Sequence, residues 1–194
     1  GYSSLNMLGK MPVDILKLDM KFIQDESAGT DDGGILHFIM ELARWMDLDL
    51  TQYANVELPF VDAASIPDWA LNEVKAMYSL GILKGGANES GLTVNALATI
   101  SRAEAMTMVN RTIDRHPDAD HLLEDMITWP DNLETAWYYE QVQEATNSHA
   151  YTMNTDDEQN PYEIWTELLP NRDWSELEKA WSDANDGAGS GEVV

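Results

Sequence analysis

The residues most suggestive of chemistry are Ser101-Arg102-Ala103-Glu104, which place a guanidinium beside a helix-starting motif. Ser101 and Glu104 have the spacing of a capping box, in which each side chain accepts a hydrogen bond from the other residue's backbone amide. This predicts a helix over 101–113 with an apolar stripe of Ala105, Met106, Val109 and Ile113. Arg102 lies outside the stripe, and its charge opposes the helix dipole. It is either a surface residue that pairs with water or acid, or a cation that binds a planar carboxylate through two hydrogen bonds.

The segment before this motif supplies the elements that would position Arg102. Pro67 and Asp68 suit a helix start, and apolar residues recur at helical spacing up to Gly81, which predicts a helix over 67–80 that ends at a glycine cap. Residues 82–99 are rich in Gly and Asn, which is typical of a loop with at most a short strand. The order is therefore helix, glycine-rich loop and capped helix.

Three motifs in this order resemble an S-layer homology (SLH) repeat, a module with which bacteria hold exported proteins on cell-wall polysaccharide. They are Pro59-Phe60-Val61-Asp62, Gly81-Ile82-Leu83-Lys84-Gly85 and Ile100-Ser101-Arg102-Ala103-Glu104, and the resemblance extends over about 42–150. It implies a non-catalytic anchor outside the cell, associated with the wall or an S-layer, that binds an acidic secondary polysaccharide, of pyruvylated type, through Arg102. The candidate ligand-binding residues are Arg102, Glu104, Lys84, Gly85, Trp69 and Asp62, although Trp69 is also compatible with a core position.

The first fifty residues resemble a different family, the EAL-domain phosphodiesterases of cyclic di-GMP. The resemblance rests on Gly1-Tyr2-Ser3-Ser4-Leu5, Met11-Pro12-Val13-Asp14, Leu16-Lys17-Leu18-Asp19 and Phe22-Ile23. It implies one βα unit of a TIM barrel, with a strand over 13–19 and a helix over 33–46, and Lys17 matches the family's active-site lysine. The family's metal-binding carboxylates are missing, so no catalysis is expected. An inactive, cytoplasmic remnant of such an enzyme, or a non-functional fusion, is the alternative to the anchoring function.

The second half of the chain is aromatic and acidic, and it resembles a degenerate further SLH repeat without an Arg-Ala-Glu motif. Helical spacing predicts helices over 135–147, 162–169 and 173–184. The expected organisation is an EAL-like fragment at 1–50, an SLH module at 51–115, a degenerate helical region at 116–185 and a flexible tail at 186–194. The expected fold class is mainly α, with SLH-type helix-loop-helix modules.

Composition excludes several classes of function. The 194 residues carry a formal net charge of −24, which would repel nucleic acid and anionic membranes. No run of about 18 apolar residues predicts a membrane-spanning helix. Without cysteine there is no thiolate metal site, and His37, His116, His121 and His149 lack metal-ligand spacing. The sequence therefore predicts no metal and no cofactor.

Overall fold

A computed structural model describes residues 34–170, 173, 175–177 and 179–180. Four α-helices are described over their whole length: α1 (Ile35–Trp45), α2 (Leu71–Ser79), α3 (Arg102–Thr112) and α4 (Tyr139–Thr146). Short 3₁₀ turns lie at Leu50–Tyr53, Ala63–Ser65 and Ala119–His121. The four strands of the described residues form two separate antiparallel hairpins, β1 (Gly86–Asn88) with β2 (Gly91–Thr93) and β3 (His149–Thr155) with β4 (Pro161–Leu168).

The main core lies where α1, α2 and α3 meet. Phe38, Ile39 and Leu42 of α1 are almost fully buried, as are Val74 and Met77 of α2. The three α1 residues recur at i, i+1 and i+4, so they form one face of the helix, and burying that face stabilises α1. The helix predicted over 33–46 is confirmed.

The helix predicted over 67–80 is shorter than expected, because residues 68–70 form a turn before α2 begins. Its end agrees with the sequence: Gly81 has φ +72° and donates its N–H to the carbonyl of Tyr78, and Ile82 donates to Met77. A left-handed residue at this point suits glycine, which has no Cβ to clash. The chain then enters the β1–β2 hairpin, which lies within the segment 82–99 that was predicted as a loop with at most a short strand.

Helix α3 begins where the capping box predicts, but its buried face differs from the predicted stripe. The buried residues are Ala105, Thr107, Met108, Asn110 and Thr112, whereas Ile113 is 41% exposed. Polar residues occupy this face because they find partners: Asn110 donates its side-chain N–H to the carbonyl of Gln141 at 2.9 Å. That bond joins α3 to α4.

The β3–β4 hairpin overturns two expectations. The helix predicted over 162–169 is wrong, because this segment is β4, in which Glu163 and Trp165 are buried with the period of two of a strand. Asp156 closes the turn by accepting hydrogen bonds from the amides of Glu158 and Asn160. With two antiparallel hairpins beside its helices, the described chain is mixed α/β, and the mainly α class is wrong.

Several expectations concern residues outside the described part of the chain. The strand predicted over 13–19, Lys17 and the tail from 186 all lie there. For the helix predicted over 173–184, helical residues are described only at 175–177 and 179–180, and the amides of Ser175 and Glu176 donate to the Asp173 carboxylate as in an N-cap. Within the described residues every helix is too short or too polar to cross a lipid bilayer.

Candidate functional site

The start of α3 is fixed by a complete capping box. The Ser101 hydroxyl accepts a hydrogen bond from the Glu104 amide at 3.2 Å, and the Glu104 carboxylate accepts one from the Ser101 amide at 2.8 Å. The box locks the first turn and thereby fixes the backbone of Arg102. The Arg102 side chain is exposed and makes no hydrogen bond or ion pair with another described residue. Its five N–H donors are therefore available to a ligand.

Arg102 lies at the edge of a cavity of about 450 Å³ between α3 and the segment 129–146. We call it the Arg102 cavity. One wall comes from the first two turns of α3 and the other from α4 and the chain that leads into it. The lining residues are Arg102, Ala103, Met106, Trp129, Asp131, Asn132, Tyr138, Val142 and Thr146.

The aromatic wall of this cavity is held rigidly. The Trp129 ring is 41% exposed, and its Nε1–H donates to the Thr146 hydroxyl at 2.8 Å. Asn147, at the end of α4, accepts from the Ile127 amide at 2.8 Å and donates to the Ile127 carbonyl at 3.1 Å. These bonds fix the Trp129 loop against α4. An exposed indole of fixed orientation is a surface on which the apolar face of a sugar ring can lie.

Polar groups complete the Arg102 cavity. The Asn132 side chain donates to the Tyr139 carbonyl at 3.1 Å, and its buried Oδ1 has no donor among the described residues. Asp131 is the one acidic residue in the lining, so it balances the charge of Arg102. The cavity is thus close to neutral in a chain whose acidic residues outnumber its Lys and Arg by 35 to 11.

A second cavity, of about 530 Å³, opens on the other flank of α3. We call it the Lys84 cavity. Lys84, Gly85 and Glu104 line it together with Arg111 and Trp137. Of the residues that the sequence suggested as one site, Arg102 therefore lies in the first cavity, Lys84, Gly85 and Glu104 lie in the second, and Trp69 and Asp62 lie in neither. Successive α3 residues are 100° apart, which places Arg102 and Glu104 on opposite sides of the helix.

The motifs at 59–62, 81–85 and 100–104 lie in a segment that matches a known family. Residues 59–106 match the family model of the S-layer homology domain. No curated protein and no solved structure has significant similarity to the chain. The S-layer homology domain is a non-catalytic module that generally attaches proteins to the cell wall through its secondary polysaccharide. The comparisons give no support to the resemblance of residues 1–50 to an EAL domain.

Within the S-layer homology segment, two of the suggested ligand residues have structural partners. Both carboxylate oxygens of Asp62 accept backbone amides, from Val94 at 2.9 Å and from Asn95 at 2.8 Å, and so hold the glycine-rich loop. Gly85 has φ +75°, and an added Cβ would lie 2.6 Å from the Phe60 ring. The position therefore requires glycine for packing whether or not it touches a ligand.

Trp69 lies apart from both cavities. It is 48% exposed, and its ring centroid lies 5.0 Å from that of His37 on α1. It is therefore neither a core residue nor part of the lining of either cavity. The S-layer homology segment thus brings Lys84, Gly85 and Glu104 together and places Arg102, Trp69 and Asp62 elsewhere.

Beyond the S-layer homology segment, a buried ionic cluster joins the end of α3 to α4 and the β3–β4 hairpin. Arg115 donates two hydrogen bonds to Glu163, each 2.8 Å long, and pairs with Glu144 at 2.5 Å. Both carboxylates are 2% exposed or less. Burial acts to lower the pKa of Arg115, but the hydrogen bonds to Glu163 and the charges of both glutamates outweigh it and raise the pKa.

The cluster also has the donor set of a metal site. Donor atoms of Glu144, His149 and Glu163 lie within 4.8 Å of one another, a proximity that the spacing of the histidines did not predict. His149 Nε2 lies 3.1 Å from Glu144 and 2.8 Å from Arg115, and the His149 ring stacks on Trp165 at 3.8 Å. The Arg115 guanidinium already pairs with both carboxylates, so the cluster forms an ionic joint between the end of α3, α4 and the β3–β4 hairpin.

A larger cavity, of about 860 Å³, lies beyond α3 near the β3–β4 turn and does not suit an acidic ligand. Its lining contains five carboxylates against three Lys and Arg, so a polyanion would be repelled. One of those cations, Arg115, is already paired with Glu144 and Glu163. The Arg102 cavity is the better candidate, because one carboxylate rather than five lies beside its cation.

Proposed function

We propose that the chain is a cell-surface anchor that holds an acidic secondary wall polysaccharide, of the pyruvate-ketal type, in the Arg102 cavity. The observation that carries the proposal is an exposed guanidinium without a partner among the described residues, fixed by a capping box opposite an exposed indole. The match of residues 59–106 to the S-layer homology domain supports the same function. The site of action is then the outer surface of a bacterial wall.

The chemistry of the cavity fits an acidic sugar. The Arg102 guanidinium can donate two parallel hydrogen bonds to one carboxylate, and charge-assisted bonds of this kind are about twice as strong as neutral ones. The N-terminus of α3 adds partial positive charge beside it, because the first amides of a helix point outwards. The sugar ring can then lie on Trp129.

Long-range electrostatics opposes this binding. With a net charge of −24 the protein repels a polyanion at a distance, and Asp131 offsets part of the local attraction. Affinity must therefore come from contacts within the cavity, and added salt should weaken binding little or even strengthen it, since salt screens the repulsion.

The test removes the guanidinium. Replacing Arg102 by Ala should cost about 1.5–3 kcal/mol of binding, the value of a charge-assisted hydrogen bond, which raises Kd roughly 10- to 150-fold. Arg102→Lys should recover only part, because an ammonium cannot bind a carboxylate in the planar two-bonded way. Calorimetry with soluble pyruvylated wall polysaccharide measures both.

The matched control is Arg44→Ala, which removes the same charge from an exposed position on α1 that lines neither cavity. Retention on purified wall, with and without its secondary polysaccharide, checks the source of binding. Equal retention of wild type and the Arg102→Ala variant would contradict the proposed site. Retention by wall stripped of that polysaccharide would contradict the proposed ligand.

A further inference from the structure

The Lys84 cavity has the features of a binding site in its own right. Trp137 is 61% exposed and lies in the lining. Lys84 is exposed and makes no hydrogen bond or ion pair with another described residue. An exposed indole and an available ammonium in one cavity repeat the combination of Trp129 and Arg102 on the first flank of α3.

The charge of this cavity is unusual for the molecule. Two cations, Lys84 and Arg111, line it with one carboxylate, that of Glu104. The Glu104 carboxylate faces the Ser101 amide and hydroxyl in the capping box, at 2.8 and 2.7 Å. Arg111 donates to the Ile82 carbonyl at 3.0 Å and so holds its positive charge in the wall. Both cations also line the larger cavity near the β3–β4 turn, where the charge of Glu140 acts on Arg111. Lys84 is therefore the cation of the Lys84 cavity that remains available to an anion.

The two cavities are adjacent in the chain and in space. Trp137 lines the Lys84 cavity and its neighbour Tyr138 lines the Arg102 cavity. Their rings are in edge-to-face contact, with centroids 5.3 Å apart and planes at 83°. This aromatic pair therefore joins the lining of one cavity to the lining of the other.

We infer that the Lys84 cavity is a second subsite for the same polymer, which holds a further acidic sugar of the chain bound at Arg102. The inference rests on the proposed function and specifies its ligand: the protein recognises an acidic oligosaccharide of more than one sugar residue. Two linked sites bind a linked ligand more tightly than either site binds alone, because the second contact forms without a new loss of translational freedom. Affinity therefore depends on the length of the oligosaccharide.

The experiment measures Kd by calorimetry for synthetic oligosaccharides of one to four hexose residues, each carrying a pyruvate ketal. Wild type should bind the longer probes at least about tenfold more tightly than the monosaccharide, a gain of about 1.4 kcal/mol. Lys84→Ala and Trp137→Ala should bind the monosaccharide as wild type does and should lose the gain with length. Both side chains are exposed, so these variants should fold.

Conservative variants and a charge control separate a specific subsite from a general effect. Trp137→Phe should keep most of the gain, because the ring is retained. Lys75→Ala removes a lysine on α2 that lines neither cavity, and it should keep the full gain. Arg102→Ala should weaken binding of every probe, including the monosaccharide.

The outcomes distinguish the inference from the proposed function. If the monosaccharide binds in a manner that depends on Arg102 but affinity is the same for all lengths, the second subsite is refuted and the anchor proposal stands. The same holds if Lys84→Ala and Trp137→Ala both keep the gain. If no probe binds, or if Arg102→Ala binds all probes as wild type does, the proposed function fails and the inference fails with it.

Discussion

Removing Arg115 should destabilise the protein more than removing any exposed arginine. Arg115 places one positive charge against Glu144 and Glu163, whose side chains are 2% and 0% exposed. Without it, two carboxylates remain buried with oxygens no more than 4.8 Å apart. At an effective dielectric constant of about 20, two unit charges at that distance repel by about 3 kcal/mol.

The same repulsion exists in the wild type, where the attraction of both carboxylates to Arg115 offsets it. Arg115→Ala removes that attraction together with the hydrogen bonds that Arg115 makes, and Tyr151 loses the cation 4.0 Å above its ring. Breaking a buried ion pair on one side usually costs about 3–5 kcal/mol, and that range is expected for Arg115→Ala. For a chain of this size each kcal/mol shifts Tm by about 2–4 °C, so the melting temperature should fall by roughly 6–20 °C.

Urea unfolding followed by circular dichroism measures the free energy of unfolding. The control is Arg44→Ala, which makes the same change of charge at a side chain that is 70% exposed and pairs only with Glu41 among the described residues. It should cost less than about 1 kcal/mol. Adding Glu144→Gln and Glu163→Gln to Arg115→Ala should restore part of the stability, since the uncompensated charges are removed. An Arg115→Ala variant as stable as the Arg44→Ala variant would refute the reasoning.

Three further outcomes are expected. Gly85→Ala should lower the free energy of unfolding by about 1–3 kcal/mol, because it strains a backbone at φ +75°. Gly86→Ala should be nearly neutral, because no atom lies within 4 Å of the added carbon, and equal effects of the two variants would contradict this. Asp62→Ala should cost about 1–3 kcal/mol by leaving two backbone N–H groups of the loop without an acceptor, and faster hydrogen exchange there would show it. The hydrogen bonds of Asp49 hold its pKa below the ordinary value of 3.8, so its contribution to stability is present above pH 3.8 and is lost as pH falls through the lower folded pKa. Asp49→Asn should therefore flatten that part of a plot of unfolding free energy against pH, and an unchanged plot would refute this.

The elements that the sequence predicted correctly are those set by neighbouring residues. Two of them are the capping box at Ser101 and Glu104 and the glycine cap at Gly81. Each involves residues a few positions apart, so the sequence alone predicts it. The placement of Arg102 at the start of a helix followed directly. Its exposure did too, since the residue lies outside the apolar face.

The elements that it missed depend on contacts between distant residues. Glu163 is buried because it meets Arg115, 48 positions earlier, and that partner is what allows a charged residue in the interior face of β4. Nothing local distinguishes this segment from a helix except the alternation of Glu163 and Trp165. The division of Lys84 and Arg102 between two cavities likewise depends on how the loop folds across α3, which spacing along the chain does not encode.

The two walls of the Arg102 cavity come from different stretches of the chain, and this has a consequence for transplantation. Residues 59–106 end within α3, while Trp129, Tyr138 and Thr146 follow later. A tag cut at that boundary would carry the arginine on an open helix flank, with no aromatic surface opposite. A segment grafted to carry the proposed site would therefore have to continue through the β3–β4 hairpin, because the ionic joint there holds α4. The unit that can be moved between proteins is thus longer than the unit that the family repeat defines.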